Sequence, residues 1–520
     1  IHKTQARDGK DHVIAESQAE VVIAIGAGRR GYSFAIETDG RLTQSPISWI
    51  ADRKGWDLSP HLGKSIDQLY RPIQVQCLFC HVNRVEPVPD SGNRYSQPIS
   101  KVESIGCERC HGPGALHVQR WATSASTGDA DETIVNPRRL EPKLREAVCQ
   151  QCHLQGVCRI AQLGKEPFDF RPGLPLQDFI AIYVWPRAVT DHLRFSSQVE
   201  QMQSSRCFVG SKEELGCISC HDPHELPEPK KRADHFRSRC LTCHEVTSCG
   251  LPMPERRTVA DSCIDCHMPR LNLSNMAHMT GTDHRILRRR DHHEPEPPPS
   301  GTSDDILVSF YSDPATDANP GSKRNMALAL MDLASNPLSH SRRQQMAHKA
   351  LPFLNEALNS NPEDPDAWQA KGYALWMTQR PEEALAVFEA ALKLAPERWL
   401  TLQYAGSVAA QLGFFDVAVD YWQRAAKANP LSARSHAELG RLWMSRKLWT
   451  QAEEECAAAL RLDAFHLGAR KTQVECHFRQ GKHEAAGQEF KTLLALHPQM
   501  EQELRSWFKE LGKADTSQGP

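Results

Sequence analysis

Six times within the first 267 residues, two cysteines stand three positions apart with a histidine directly after the second. The motifs are Cys77-Leu78-Phe79-Cys80-His81, Cys107-Glu108-Arg109-Cys110-His111, Cys149-Gln150-Gln151-Cys152-His153, Cys217-Ile218-Ser219-Cys220-His221, Cys240-Leu241-Thr242-Cys243-His244 and Cys263-Ile264-Asp265-Cys266-His267. Two thiols at this spacing can close thioether bonds to the vinyl groups of one haem, and the adjacent imidazole becomes the proximal iron ligand. Structural zinc would use paired Cys-x-x-Cys elements as four-ligand sites and has no need of a histidine after every second cysteine. A disulfide has no need of one either. The pattern predicts six covalently attached haem c groups.

The opposite face of each iron decides the chemistry. Two strong axial ligands close the metal for electron transfer, whereas an open position binds and activates substrate. Eleven further histidines precede residue 323: His2, His12, His61, His117, His192, His224, His235, His278, His284, His292 and His293. That is enough for bis-histidine ligation throughout. His117 follows the turn Gly112-Pro113-Gly114, and His224 follows Asp222-Pro223, so a forced change of chain direction presents each. His278 and His284 lie downstream of the sixth motif, where Asp283 is placed to orient His284. His12, His61 and His192 complete the distal candidates. His2, His235, His292 and His293 read as solvated. Met202 reads as a core residue, with a thioether ligand as the alternative.

The elements that must position these groups fall into stretches of different character. Residues 1–70 read as β-rich, with Val21–Ile25 as a buried strand, Tyr32–Ile36 as a second and Asp39-Gly40 as a hairpin turn. Gly26-Ala27-Gly28-Arg29-Arg30-Gly31 matches a dinucleotide fingerprint in form. A strand-like run follows it where a helix is required, so it reads as a glycine-rich hairpin connection. Residues 71–290 carry the motifs and lack long periodic segments, as expected of an irregular or α-helical domain whose apolar core is supplied largely by haems. Residues 291–322 form a proline-rich linker. Pro362, Pro396, Pro430 and Pro498 are spaced by 34, 34 and 68 residues, with Ala464 at the skipped position. A period of 34 is that of tetratricopeptide repeats, and residues 323–512 read as an all-α solenoid of such repeats, opened by a degenerate helix pair over 323–360.

Composition removes other classes. Lys and Arg number 62 against 64 Asp and Glu, so no basic excess points to nucleic acid. No apolar run is long enough to span a bilayer. Covalent haem is attached outside the cytoplasm, which places the protein in the periplasm or at the cell surface or beyond. The first ten residues are polar and carry no secretory signal, so the chain is expected to be processed or incomplete. Outside the motifs stand Cys158, Cys207, Cys249, Cys456 and Cys476. Cys207 with Cys249 is the candidate disulfide, and Cys456 and Cys476 read as buried small residues.

Taken together, these motifs, with Gly106 before the second and His111-Gly112-Pro113-Gly114, His221-Asp222-Pro223-His224 and Asp283-His284-Arg285-Ile286 after theirs, resemble bacterial multihaem cytochromes c with doubled Cys-x-x-Cys-His motifs fused to tetratricopeptide repeats. The resemblance implies an exported electron-transfer protein, with His117, His224, His278 and His284 as distal ligands. Relatives often carry a further haem-binding segment upstream, absent here, which leaves His2 or His12 as ligand candidates for a lost or partner haem.

The expected function is haem-to-haem electron transfer without catalysis. The repeats would dock redox partner proteins or further copies of the chain, up to a filament. The alternative is a reductase of small nitrogen or sulfur oxyanions with one open haem, for which Arg109, Arg206 and His235 are the candidate cationic and acid–base groups.

Overall fold

The computed structural model describes residues 1–7, 11–26, 31–59, 71–99, 104–123, 130–186, 197–272, 280–288, 306–311, 319–336 and 339–516. The chain forms two compact units, one of residues 1–78, 85–102 and 338–520, the other of residues 79–84 and 103–337.

The first unit begins with a two-stranded antiparallel sheet, β1 (His2–Arg7) and β2 (Val13–Ala19). A larger sheet follows, made of β3 (Val21–Ile25), β4 (Gly31–Thr38), β5 (Arg41–Gln44), β6 (Ile47–Ile50), β7 (Gly55–Leu58) and β8 (Arg71–Pro72). Its order is β7-β6-β4-β5-β8, with β3 also on β4. The expected turn at Asp39-Gly40 joins β4 to β5, and both residues have positive φ. The strand over Val21–Ile25 forms, but only Ile23 is buried, because alternate side chains face opposite sides of a pleated strand. β4 starts directly at Gly31, so the glycine-rich segment leads into a strand; residues 27–30 lie outside the described residues.

The same unit contains the helical array: His340–Ser360, Pro365–Met377, Pro381–Leu394, Trp399–Gln411, Phe415–Ala428, Ala433–Ser445, Trp449–Leu462, Leu467–Arg479, His483–Leu496 and Glu501–Thr516. The 34-residue period has a steric origin here. A Cβ on Gly372 would lie 2.5 Å from the Phe388 ring, one on Gly406 2.6 Å from Trp422, and one on Gly440 2.7 Å from Cys456. Each pair of helices closes on a glycine opposite a large or soft side chain sixteen positions later. Phe388, Trp422, Leu402, Val408 and Leu439 join one continuous core, as expected of stacked repeats. Cys456 and Cys476 are buried in the later helices of the array. Asp364, itself buried, caps Pro365–Met377 by accepting the N–H groups of Asp366 (3.0 Å) and Ala367 (3.1 Å). Asp364→Ala should cost about 1 kcal/mol, readable in chemical denaturation of the helical signal.

The strands and the array are not successive beads on a string. Arg41 donates to the Ala428 carbonyl at 2.7 Å, and Arg398 pairs with both Asp90 (2.6 Å) and Asp366 (2.7 Å). Trp399 sits against Gly92, where a Cβ would come within 2.9 Å of its indole nitrogen. Residues 71–78 and 85–102 belong to this unit as well, since β8 pairs with β5 and the Tyr95 hydroxyl donates to the Ile73 carbonyl at 2.8 Å. The β-rich region thus runs past residue 70.

The second unit holds two small sheets. β9 (Cys158–Ala161), β10 (Ile180–Val184) and β13 (Val308–Ser309) form one, and β11 (Arg270–Asn272) with β12 (Thr280–Thr282) the other. β13 corrects the linker expected over 291–322. Leu307 is buried, and the Phe310 N–H bonds to the Ile182 carbonyl at 2.9 Å, so the apolar run after the prolines completes a sheet. The helix Pro320–Ser335 was expected to open the repeats. It packs instead on β9 and β10, with Arg324 donating to the Ala161 carbonyl (3.2 Å), so the array begins at His340. Its spacing of small apolar residues matches a repeat helix, which is why sequence assigns it there.

Candidate functional site

Five of the six motifs lie on or at the end of short helices of the second unit or its border: Val75–His81, Glu108–His111, Pro142–His153, Cys217–Cys220 and Cys263–His267. In the remaining motif, Cys240 ends the helix Arg232–Cys240. One helical turn puts cysteines three apart on a single face with the histidine at the fourth position beside them, so both sulfurs and the imidazole address one ligand.

Imidazole geometry carries most of the information. His111 Nδ1 is 2.7 Å from the Val135 carbonyl, and His267 Nδ1 is 2.6 Å from the Leu287 carbonyl. Donation from Nδ1 fixes the tautomer and leaves the Nε2 lone pair for a metal. His81, His153 and His221 are open to solvent on one side, yet the protein around them desolvates each imidazole and holds it below the ordinary histidine range. Each therefore favours the neutral form at pH 7.

The rings come in pairs. The His111 and His224 centres are 5.9 Å apart with their planes 18° from parallel, and His221 and His284 are 6.4 Å apart at 29°. Two metal–nitrogen bonds of about 2 Å, with ring centres about 1 Å further out, place two axial imidazoles about 6 Å apart. In each pair the second histidine is supplied by another part of the chain: His224 follows the fourth motif and lies beside His111 of the second, while His284 follows the sixth and lies beside His221 of the fourth. Nδ1 of His284 is held by the Thr282 carbonyl at 2.8 Å. His117 Nδ1 is held by Asp131 at 2.7 Å. Hydrogen bonds from Thr133, His117 and Trp121 keep the Asp131 carboxyl far below the usual carboxylate range.

The third motif helix touches three others. The Cys80 thiol donates to the Gln151 carbonyl at 3.7 Å, and the Gln151 amide donates to the Arg109 carbonyl at 2.8 Å. Glu146 accepts both the backbone N–H (3.1 Å) and the thiol (3.0 Å) of Cys217, which starts the fourth motif helix. Gly216 is what lets that carboxylate approach: a Cβ there would lie 2.1 Å from it.

The donor set and the packing fit haem. Between Arg206 and Asp261 only Gly216 is buried, while Val209, Leu226, Val246, Leu251 and Met253 are exposed. A helical stretch with its apolar side chains exposed can be covered by an apolar group. Among the described residues no three His, Cys, Asp or Glu side chains converge on one point, as a zinc site would require. Haem iron needs only one or two protein ligands.

Other candidates are spread out. His12 is exposed in the first unit, and His2 there contacts Ser45 Oγ (2.7 Å) and the edges of Phe34 and Trp56, so it is packed rather than solvated. His61, His192, His278, His292 and His293 lie outside the described residues. Met202 is buried with Val199 in the helix Gln198–Ser204. Cys207 and Cys249 are free thiols, so the expected bridge is not made. Arg109 is buried against Phe79, Arg206 is exposed, and His235 packs on Phe236. Asp131, Glu146 and the carbonyls of Val135 and Leu287 escaped sequence reasoning, because nothing in the spacing of a motif points to a partner brought in from elsewhere.

Among the described residues no helix is long and apolar enough to cross a membrane. A family model described as tetratricopeptide repeat matches residues 342–398 and 405–466. Solved structures with similar helical arrays include MamA 41-end from Desulfovibrio magneticus RS-1, at 22% identity and TM-score 0.29, covering 33% of this chain and 97% of that one. Another is YrrB, titled a TPR protein with an unusual peptide-binding site, at 22% identity and TM-score 0.31, covering 38% of this chain and 98% of that one. The C-terminal helices are tetratricopeptide repeats, a fold that presents extended surfaces to protein partners.

Proposed function

We propose that the second unit, with the first motif at its border, is a six-haem c-type cytochrome that moves electrons from haem to haem outside the cytoplasm. The repeats dock it to a redox partner protein or to further copies of itself. The observation that carries this is the pairing of His111 with His224 and of His221 with His284 at the spacing of two axial ligands. Bound haem supplies one-electron centres, and the residues of the chain do the rest. The motif cysteines fix each group covalently. His111 and His221 would each hold an iron together with the histidine beside it, His224 and His284 respectively. An iron held by two histidines would favour electron transfer over substrate activation. Asp131, by locking His117, prepares a further distal ligand, and His278 completes the set implied by the motifs.

The test is the intact mass and the alkaline pyridine spectrum of the chain produced in a host that attaches haem. A mass increment of six haems with a predominantly low-spin ferric resonance is expected. A chain bearing no covalent haem under conditions that mature a control cytochrome would overturn the proposal.

A further inference from the structure

The residues directly before the second cysteine of the first three motifs are Phe79, Arg109 and Gln151, and they meet at one place. Arg109 Nη2 donates to the Phe79 carbonyl at 2.6 Å, its guanidinium lies 4.3 Å from the Phe79 ring centre and 5.2 Å from that of Phe168, and Gln151 donates to the Arg109 carbonyl at 2.8 Å. Arg159 closes the cluster, donating to the carbonyls of Gln151 (2.9 Å) and Leu154 (3.0 Å), with its guanidinium 5.7 Å from the Phe79 ring centre. Arg109 is only 7% exposed, and its Nε has no hydrogen-bond partner. Among the described residues neither arginine is in an ion pair.

Beside the fourth and sixth motifs buried or half-buried arginines are paired, and Arg239, next to the fifth, is exposed to solvent. Arg145, beside the fourth, pairs with Glu146 at 3.2 Å. Near the sixth, Arg237 and Arg256 share Asp261 at 2.9 and 2.7 Å. Their charge is cancelled locally, whereas that at the meeting point of the first three is not.

We infer that Arg109 and Arg159 form a cationic hub that raises the reduction potentials of the haems attached at Cys77–Cys80, Cys107–Cys110 and Cys149–Cys152 above those of the other three. The inference rests on the haem assignment above. Each of these arginines lies within one bonded neighbour of a motif cysteine or of a residue that contacts one. Ferric haem carries one more positive charge than ferrous haem, so a fixed cation nearby disfavours the oxidised form, and a buried cation is screened least. Electrons entering the protein would therefore collect at the haems of the first three motifs.

The experiment compares the full chain with Arg109→Met, Arg109→Lys and Arg159→Met. Covalent haem content is measured first and a spectroelectrochemical titration second. With six haems retained, Arg109→Met should move a part of the curve, up to half of the total absorbance change, to lower potential, and Arg109→Lys should restore most of it. Arg159→Met, at a less buried position, should give a smaller shift in the same direction. An unchanged curve in both methionine variants would overturn the hub, as would Lys and Met variants of Arg109 that shift equally, since packing rather than charge would then be responsible. If Arg109→Met loses haem, Arg159→Met decides alone. A parent chain without haem defeats the functional proposal and the hub with it, whereas six haems with an unmoved curve defeat the hub only.

Discussion

On the six-haem proposal, His284→Ala should turn about one sixth of the iron from low-spin to high-spin, one site of the six motifs. The removed ring is the one whose centre lies 6.4 Å from that of His221. The surrounding backbone has reasons to stay: the His284 N–H is held by Gln201 Oε1 at 2.7 Å, β12 pairs with β11, and buried Asp283 bonds Arg285 at 2.6 Å. The substitution therefore takes away the imidazole and leaves the loop. His224→Ala should do the same for the site of His111, and because the two act on different irons the double variant should give close to the sum. Electron paramagnetic resonance of the oxidised protein reads the fraction directly. A wholly low-spin signal in both variants, with haem content unchanged, would mean that neither pair is axial.

Trp422→Ala should destabilise the repeat array by about 3–5 kcal/mol. Trp422 is fully buried in the central core, packed so closely on Gly406 that a Cβ on that glycine would lie 2.6 Å from the indole. Truncation leaves a large cavity whose walls are two helices braced by their own neighbours, so collapse into it is limited. Each repeat is stabilised by the next, and the loss spreads to Ala433–Ser445 on one side and Pro381–Leu394 on the other. Denaturant titration of the helical signal should show a markedly lower midpoint. The third repeat gives an internal comparison: Cys456 occupies the position of Trp422, and Cys456→Ala removes one sulfur and should cost far less. Equal losses in the two variants would contradict the packing argument.

What sequence conveyed and what it withheld divide along a physical line. The motifs, the repeats and the Asp39-Gly40 turn are local patterns set by helix geometry, a 34-residue steric repeat and the left-handed conformation of a hairpin turn. They appear where spacing placed them. The pairings of His111 with His224 and of His221 with His284 join segments more than fifty residues apart, and no local periodicity encodes which imidazole meets which. Residues 306–311 were misassigned because neighbouring prolines dominate composition, whereas the burial of Leu307 depends on a strand over a hundred positions earlier. The helix Pro320–Ser335 was misassigned for the converse reason: its small-residue pattern suits a repeat, and only its contacts with β9 and β10 reveal its place.

The bond from Arg41 to the Ala428 carbonyl spans 387 positions of chain. Its consequence is one of timing. The N-terminal strands are synthesised long before the helices they pack against exist, and closure over such a separation is slow compared with forming a helical turn. Until the repeats are made the first unit stays incomplete, although its strands and the whole of residues 103–337 have already been synthesised.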